Sequence, residues 1–210
     1  MTTYTWPDTA TVTQMLPKSM EVQPINNTLA MSSPLNGDVT TFGLPGNRWR
    51  VTTTFRRQTY ADRAIVESWL FKLSGQEHRM KIWDFARPVP LGTINQTGVT
   101  ASILAAQFAV TMTLAGCGNT TTLKRGDWLE VTTAVGQQLL MNTEDATANA
   151  SGVMVINFTP RLRGQVAAAS AVILQKPSAL YILEDPNPLS PRDPQGSASE
   201  FGVSWVEVFR

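Results

Sequence analysis

The residues best suited to chemistry are few and far apart. The chain holds one histidine, His78, and one cysteine, Cys117. A lone histidine in "GQEHRM", just after a helix stop, reads as a loop residue rather than a base. One cysteine excludes an intrachain disulfide, and there is no Cys/His cluster of the kind that holds structural zinc. Glu144-Asp145 and Glu184-Asp185 are acidic pairs, and two carboxylates flanking a bond are what glycoside hydrolysis needs. Neighbours along a strand point to opposite faces, and both pairs abut loops, so they read as solvated or turn carboxylates. No Gly-X-Ser-X-Gly elbow occurs. "GNTTTLKRGD" lacks the glycine spacing and the Lys-Ser/Thr of a phosphate loop. Arg125-Gly126-Asp127 spells the integrin-binding tripeptide. Its plainer reading is a β-turn leading into Trp128, with Gly supplying positive φ and Asp bonding the turn backbone.

Composition narrows the function classes further. In 210 residues the hydrophobic content is 42% and the charged content 16%. That is a folded chain with room for one large β-domain or two small ones. Its charge density is low against a usual value of about 25%. Such a surface is easy to bury against a partner; a Thr-, Ser-, Gln- and Asn-rich solvated surface has the same composition. A net charge of +1 gives no basic stripe for nucleic acid, and the scattered aromatics form no basic stacking platform. "MTTYTWPDTATVTQ" lacks the basic and apolar regions of a signal peptide. No apolar run approaches the length of about 18 residues that suggests a membrane-spanning helix. The expectation is a protein made and folded in a cytoplasm, without membrane insertion and without a cofactor.

The framework that positions these residues is mainly β. "SPLNGDVTTFGLPGNRWRVTTTF" carries an Asn-Gly turn signal and a Leu-Pro-Gly signal, then a run that alternates. Trp49, Val51, Thr53 and Phe55 fall on one side of it. Residues 20–22 and 39–42 are weaker strand candidates. One convincing helix follows. Thr59 is its N-cap with Asp62 three residues on. Ile65, Val66, Trp69, Leu70 and Leu73 form an apolar stripe, with Arg63, Glu67 and Lys72 elsewhere. Gly75 sits where a C-terminal cap belongs. The stripe reads as core that packs on a sheet. "HRMKIWDFARPVPLG" is a further strand, ending at Pro88 and Pro90.

Those prolines mark a boundary, and residues 91–176 are richer in Ala, Thr, Val and Gly. Five strands are expected there, at 107–114, 128–132, 138–141, 153–158 and 171–175. In the first, Phe108, Val110, Met112 and Leu114 share a face. Five short strands in so little chain suggest a small closed barrel or sandwich. After Pro177 the chain again has the character of residues 1–90. "ALYILED" is a strand, and a polar loop with Pro186, Pro188, Pro191 and Pro194 follows. "FGVSWVEVF" closes the chain, apolar on both faces, as a strand buried inside a sheet. The small module is therefore an insertion, 91–176, in one larger β-domain formed by 1–90 and 177–210.

Several of these stretches, in order, carry a resemblance. "MSSPLNGDVTTFGLPGNRWRVTTTF" resembles a Ser-Pro-Leu-X-Gly turn and Pro-Gly-X-Arg-Trp strand of the distal tail proteins of long-tailed bacteriophages. "ADRAIVESWLFKLSGQEHRMKIWD" resembles their helix, cap and strand. "TLKRGDWLEV" and "GVMVINFTPRLR" resemble their inserted module, and "FGVSWVEVF" their closing strand. The resemblance implies a non-enzymatic structural virion protein of the siphophage tail, with a β-sandwich or split-barrel ring domain and an outward module. It implies a homo-oligomer, usually a hexameric ring, between the tail tube protein and the tail-tip hub or other baseplate proteins. Genomic DNA would pass through its channel without sequence-specific binding. With the module inserted rather than appended, a neighbouring role as a threefold tail-tip hub subunit is also open.

For contacts between subunits the candidates are Asn47, Arg48 and Arg50, the loop prolines Pro186, Pro188, Pro191 and Pro194, and the terminal Arg210. Arg48, Arg50, Arg56 and Arg57 either line surfaces near the genome or are ordinary solvated positions. A second reading is a carbohydrate- or receptor-binding tail module with Trp128 as stacking platform. A cell-wall hydrolase is a third, and it lacks a credible acid/base set. If the proline loop is a contact, deleting residues 187–194 should leave a folded monomer that no longer forms rings, as read by solution mass and imaging. Normal assembly of the deletion variant would refute the contact.

Overall fold

The computed structural model describes residues 1–7, 15–94, 97–187 and 199–209. Alternation decides the first sheet. Trp49, Val51, Thr53 and Phe55 are all buried, and Phe201, Val203, Trp205 and Glu207 are buried beside them. The strands are β1 (Thr3–Thr5), β2 (Ser19–Ile25), β5 (Arg48–Phe55), β6 (Arg79–Trp83), β15 (Ser178–Leu183) and β16 (Phe201–Glu207). They form one six-stranded sheet in the order β1-β6-β15-β16-β5-β2. The closing strand β16 thus lies inside the sheet, between β15 and β5. Its second face, with Val206 and Val208, is only half-buried.

Helix α1 (Tyr60–Lys72) packs on this sheet. The Thr59 hydroxyl accepts the Asp62 N–H at 3.2 Å, which fixes the start of the helix. Leu73 caps the other end, and Ser74 and Gly75 take positive φ after it. Val66, Leu70 and Leu73 are buried, while Ile65 and Trp69 pack at the edge of the core. Arg63 and Glu67 lie off the apolar stripe and yet do not face water. Both are buried and pair at 3.2 Å. The Arg63 guanidinium lies 3.5 Å from the centre of the Phe201 ring and donates to the Ser199 carbonyl. Such burial of a charge is tolerable because its donors are occupied.

The chain leaves this sheet after Trp83 and returns to it at Ser178. Lys176 N–H donates to the Pro88 carbonyl at 2.7 Å, so the outgoing and returning segments lie side by side. Between them run β7 (Thr100–Ala101), β8 (Thr111–Ala115), β10 (Trp128–Thr133), β11 (Gly136–Asn142), β13 (Met154–Thr159) and β14 (Val172–Ile173), with a small pair β9 (Thr122–Leu123) and β12 (Ala146–Thr147). The six-stranded order is β14-β10-β11-β13-β8-β7. A bridge between Thr100 and Ala171, with Ala101 N–H to the Ser170 carbonyl at 2.9 Å, brings its two edges together into a barrel. Met112, Leu114, Leu129, Val131, Leu140, Met154, Ile156 and Phe158 fill the interior. The protein is mainly β, of the sandwich and barrel class, with a second core separate from the first.

Two strand readings need correction. The run 107–114 does not form one strand, because β8 starts at Thr111. Phe108 has φ +66 and its N–H bonds to the Leu162 carbonyl, which turns the chain, so Phe108 and Val110 are exposed. The run 171–175 pairs only over β14, Val172–Ile173.

The β10–β11 hairpin joins the two cores. Leu129, Val131 and Leu140 enter the barrel, and Trp128, Leu139 and Met141 pack against the first sheet. Most polar groups caught between them have partners, although Arg163 Nη1, Glu207 Oε1 and Asn142 Oδ1 have none among the described residues. Glu130, buried, accepts the N–H and the hydroxyl of Ser178, both at 2.9 Å. Arg163 pairs with the buried Glu207 and donates to the Asn47 carbonyl at 3.1 Å. The Trp49 N–H donates to Glu207 at 3.0 Å, and its indole N–H donates to the Leu139 carbonyl at 2.9 Å.

Burial pushes the Glu207 carboxyl above its ordinary range, against the pull of Arg163 and of the Trp49 and Leu139 N–H groups. A carboxyl held above its unfolded value contributes most in acid, and that contribution is lost as pH rises through the folded value. Glu207→Gln removes the titration. The variant should therefore gain stability relative to wild type as pH rises above the ordinary carboxyl range, as read by urea unfolding of both proteins. A gap that widens as pH rises would show that the Arg163 pairing outweighs burial.

Candidate functional site: an apolar arm and the pocket at its foot

Between β2 and β5 the chain runs out and back as a two-stranded ribbon. Its strands are β3 (Thr28–Ser32) and β4 (Val39–Gly43). The Asn36-Gly37 signal lies in the turn between them, with Gly37 at φ +71 and the Ser33 N–H bonded to the Asp38 carbonyl at 2.8 Å. The pairing sets Leu29 opposite Phe42 and Met31 opposite Thr40. Directly opposed residues share a face, so Leu29, Met31 and Phe42 lie together, and Leu44 continues the series. Every residue of both strands is exposed, Phe42 by 50% and Met31 by 58%, and Leu35 in the turn by 96%. An isolated two-stranded hairpin is marginal in water; it needs a further strand or a helix against its apolar face.

A pocket of about 450 Å³ opens at the foot of this arm. Met20 and Val22 of β2, Trp49 of β5, and Trp128 and Met141 of the hairpin give it apolar walls. Asn26, Asn47 and Arg48, where the arm leaves the sheet, form its rim. Asp84 and Arg87 complete it and are paired at 3.1 Å. Arg48 is exposed and has no carboxylate partner among the described residues.

The candidate contact residues are placed as follows. Asn47 is half-buried, and its side-chain oxygen accepts the Asn27 N–H at 2.8 Å across the arm's base. Arg50 pairs with Glu184 across the sheet. Pro186 is exposed, beside Gly75. Pro188, Pro191, Pro194 and Arg210 lie outside the described residues. The arm's apolar face was missed because the signal in "TLAMS" is only two alternate apolar positions.

Trp128 does not suit the stacking role. It is 5% exposed, meets Trp49 edge-on at 4.9 Å between ring centres, and donates its indole N–H to Asp84 at 3.1 Å. A sugar needs an open ring face, and here the outward face of β10 is the contact between the two cores.

The other chemistry-bearing residues are engaged in the framework. The Asp145 carboxyl is held below its ordinary range by the Lys124 ammonium and the Arg125 N–H, both at 2.9 Å. Glu144 accepts the Asn157 amide at 2.7 Å, and Asp185 accepts the Asn187 N–H at 2.8 Å. His78 sits edge-on to the Tyr4 ring. Burial pushes the Cys117 thiol up to about 11, which leaves little thiolate at neutral pH. Among the described residues no three His, Cys, Asp or Glu side chains come together as a metal site.

Asp127 of the Arg-Gly-Asp tripeptide is buried and accepts three backbone N–H groups: Leu91 and Lys124 at 2.6 Å and Gly92 at 3.3 Å. Gly126 supplies φ +88 for the turn. Gly92 is needed for close approach, since a Cβ there would lie 2.0 Å from the Thr122 carbonyl oxygen. Asp127→Ala should cost about 2 kcal/mol, because three part-buried N–H groups lose a charged acceptor; urea unfolding measures it. A loss below about 1 kcal/mol would mean that water replaces the carboxylate. A scan of protein-family models and a comparison with curated protein sequences both give no match for this chain.

Proposed function

We propose that this protein is a structural, non-enzymatic subunit of the tail of a long-tailed bacteriophage. It forms a ring at the distal end, joining the tail tube to the tail tip or baseplate and enclosing the path of the genome. The observation that carries the assembly part of this reading is the arm. Its apolar face, with Leu29, Met31, Phe42 and Leu44, has no cover among the described residues, and such a ribbon is marginal in water without a partner surface. The low charge density of the surface works in the same direction. The phage part rests on the ordered resemblance of the sequence segments. The ring domain comprises 1–90 and 177–210, and the barrel 91–176 faces outward.

The sheet has a long edge strand in β2 and the arm beside it. A patch that meets a different patch on the next copy closes into a cyclic ring if the rotation allows. A hub subunit at the tail tip would use the same device with threefold symmetry. Negative-stain imaging of the purified protein, alone and after addition of tail tubes, separates these. Sixfold rings with an open channel are expected. Threefold particles would move the protein to the hub. Particles that remain monomeric even with tubes present would overturn the ring.

A further inference from the structure

The arm has an apolar face without cover among the described residues, and the pocket at its foot has apolar walls. We propose that these two features meet between copies: the tip of one copy's arm, led by Leu35, seats in the pocket of a second copy. The proposal rests on the assembly reading above and names the surface that receives the arm.

Within one copy the two cannot meet. The pocket is rimmed by the arm's own foot, Asn26, Asn47 and Arg48. Five paired residues at about 3.3 Å each hold the tip roughly 17 Å away. The chemistry on the two sides is complementary. The tip offers Pro34 and Leu35, and Leu35 is almost fully exposed. The pocket offers Met20, Val22, Trp49 and Met141, and its volume of about 450 Å³ is that of a small-ligand cleft. The only charged residue of the ribbon is Asp38, at the tip. The pocket's unpaired cation is Arg48, because Arg87 is already held by Asp84. Tip and pocket are different patches of one chain, so the contact is head-to-tail and propagates around a ring.

Disulfide trapping tests it, and the sequence suits the method. The one native thiol, Cys117, is buried and stays protonated near neutral pH. A variant carrying Leu35→Cys and Val22→Cys, treated with a mild oxidant, should give a ladder of linked copies ending at the ring size. Leu35→Cys mixed with Val22→Cys, each on its own chain, should give linked pairs only. Trapping catches even a brief contact, so a transient ring suffices. Leu35→Glu, at a position too exposed to affect folding, should raise the protein concentration needed for assembly about tenfold or more. If wild type assembles but no link forms between copies, the pocket assignment fails and the ring stands. A link within a single chain, meaning an arm that folds back, overturns it as well. A wild type that never assembles, alone or on tubes, removes the ring and this contact together.

Discussion

The hairpin of β10 and β11 has almost no solvent face, and the rest of the molecule is organised around that. Over residues 128–131 and 138–140 both sides are buried, one in the barrel and one against the first sheet. A strand buried on both faces normally reads as a continuous apolar run. Here the run is broken by Glu130 and Gln138, each of which finds partners in place of water. Their cost is tolerable only because the partners come from the other core or from the loops beside it: Ser178 for Glu130, and the backbone of Arg161 and Arg163 for Gln138. The barrel is thus joined to the sheet by directional bonds as well as by contact area, and its orientation is fixed.

That fixed junction gives the arm its setting. Arg163 reaches from the barrel side to the Asn47 carbonyl and to Glu207 of the central strand. Asn47 in turn holds the base of the ribbon through Asn27. A chain of bonds therefore runs from barrel to sheet to arm. These bonds tie the foot of the ribbon to the framework at Asn27 and Asn47.

Much of this framework was legible because it is periodic. The alternation of 49–55, the Thr59 cap with the stripe to Leu73, and the two-faced closing strand each repeat a local pattern long enough to read. What failed depends on partners far along the chain. Arg63 looks solvated until Phe201 and Ser199 are placed against it. Trp128 looks like an aromatic beside a turn until Trp49 and Asp84 enclose it. Phe108 and Val110 continue the alternation of β8 past its end, since period alone does not reveal the positive φ that turns the chain at Phe108. The two-residue strands β7, β9, β12 and β14 carry no period at all. The exposed face of the arm was the least visible feature, because an apolar residue in sequence gives no sign of whether its own chain will cover it.

The distribution of satisfied and unsatisfied groups argues for a class of function. Asp127, Glu130, Asp145 and Glu207 are held by backbone or by cations of the framework, and Cys117 is buried as a thiol. Each of these groups serves the packing of the framework, where a buried polar group needs a partner in place of water. Among the exposed apolar side chains, Leu29, Met31, Phe42 and Leu44 share one face of a ribbon, with Leu35 beyond them. Soluble chains seldom leave such a surface uncovered. In the proposed assembly role, this ribbon is the surface that another protein would cover.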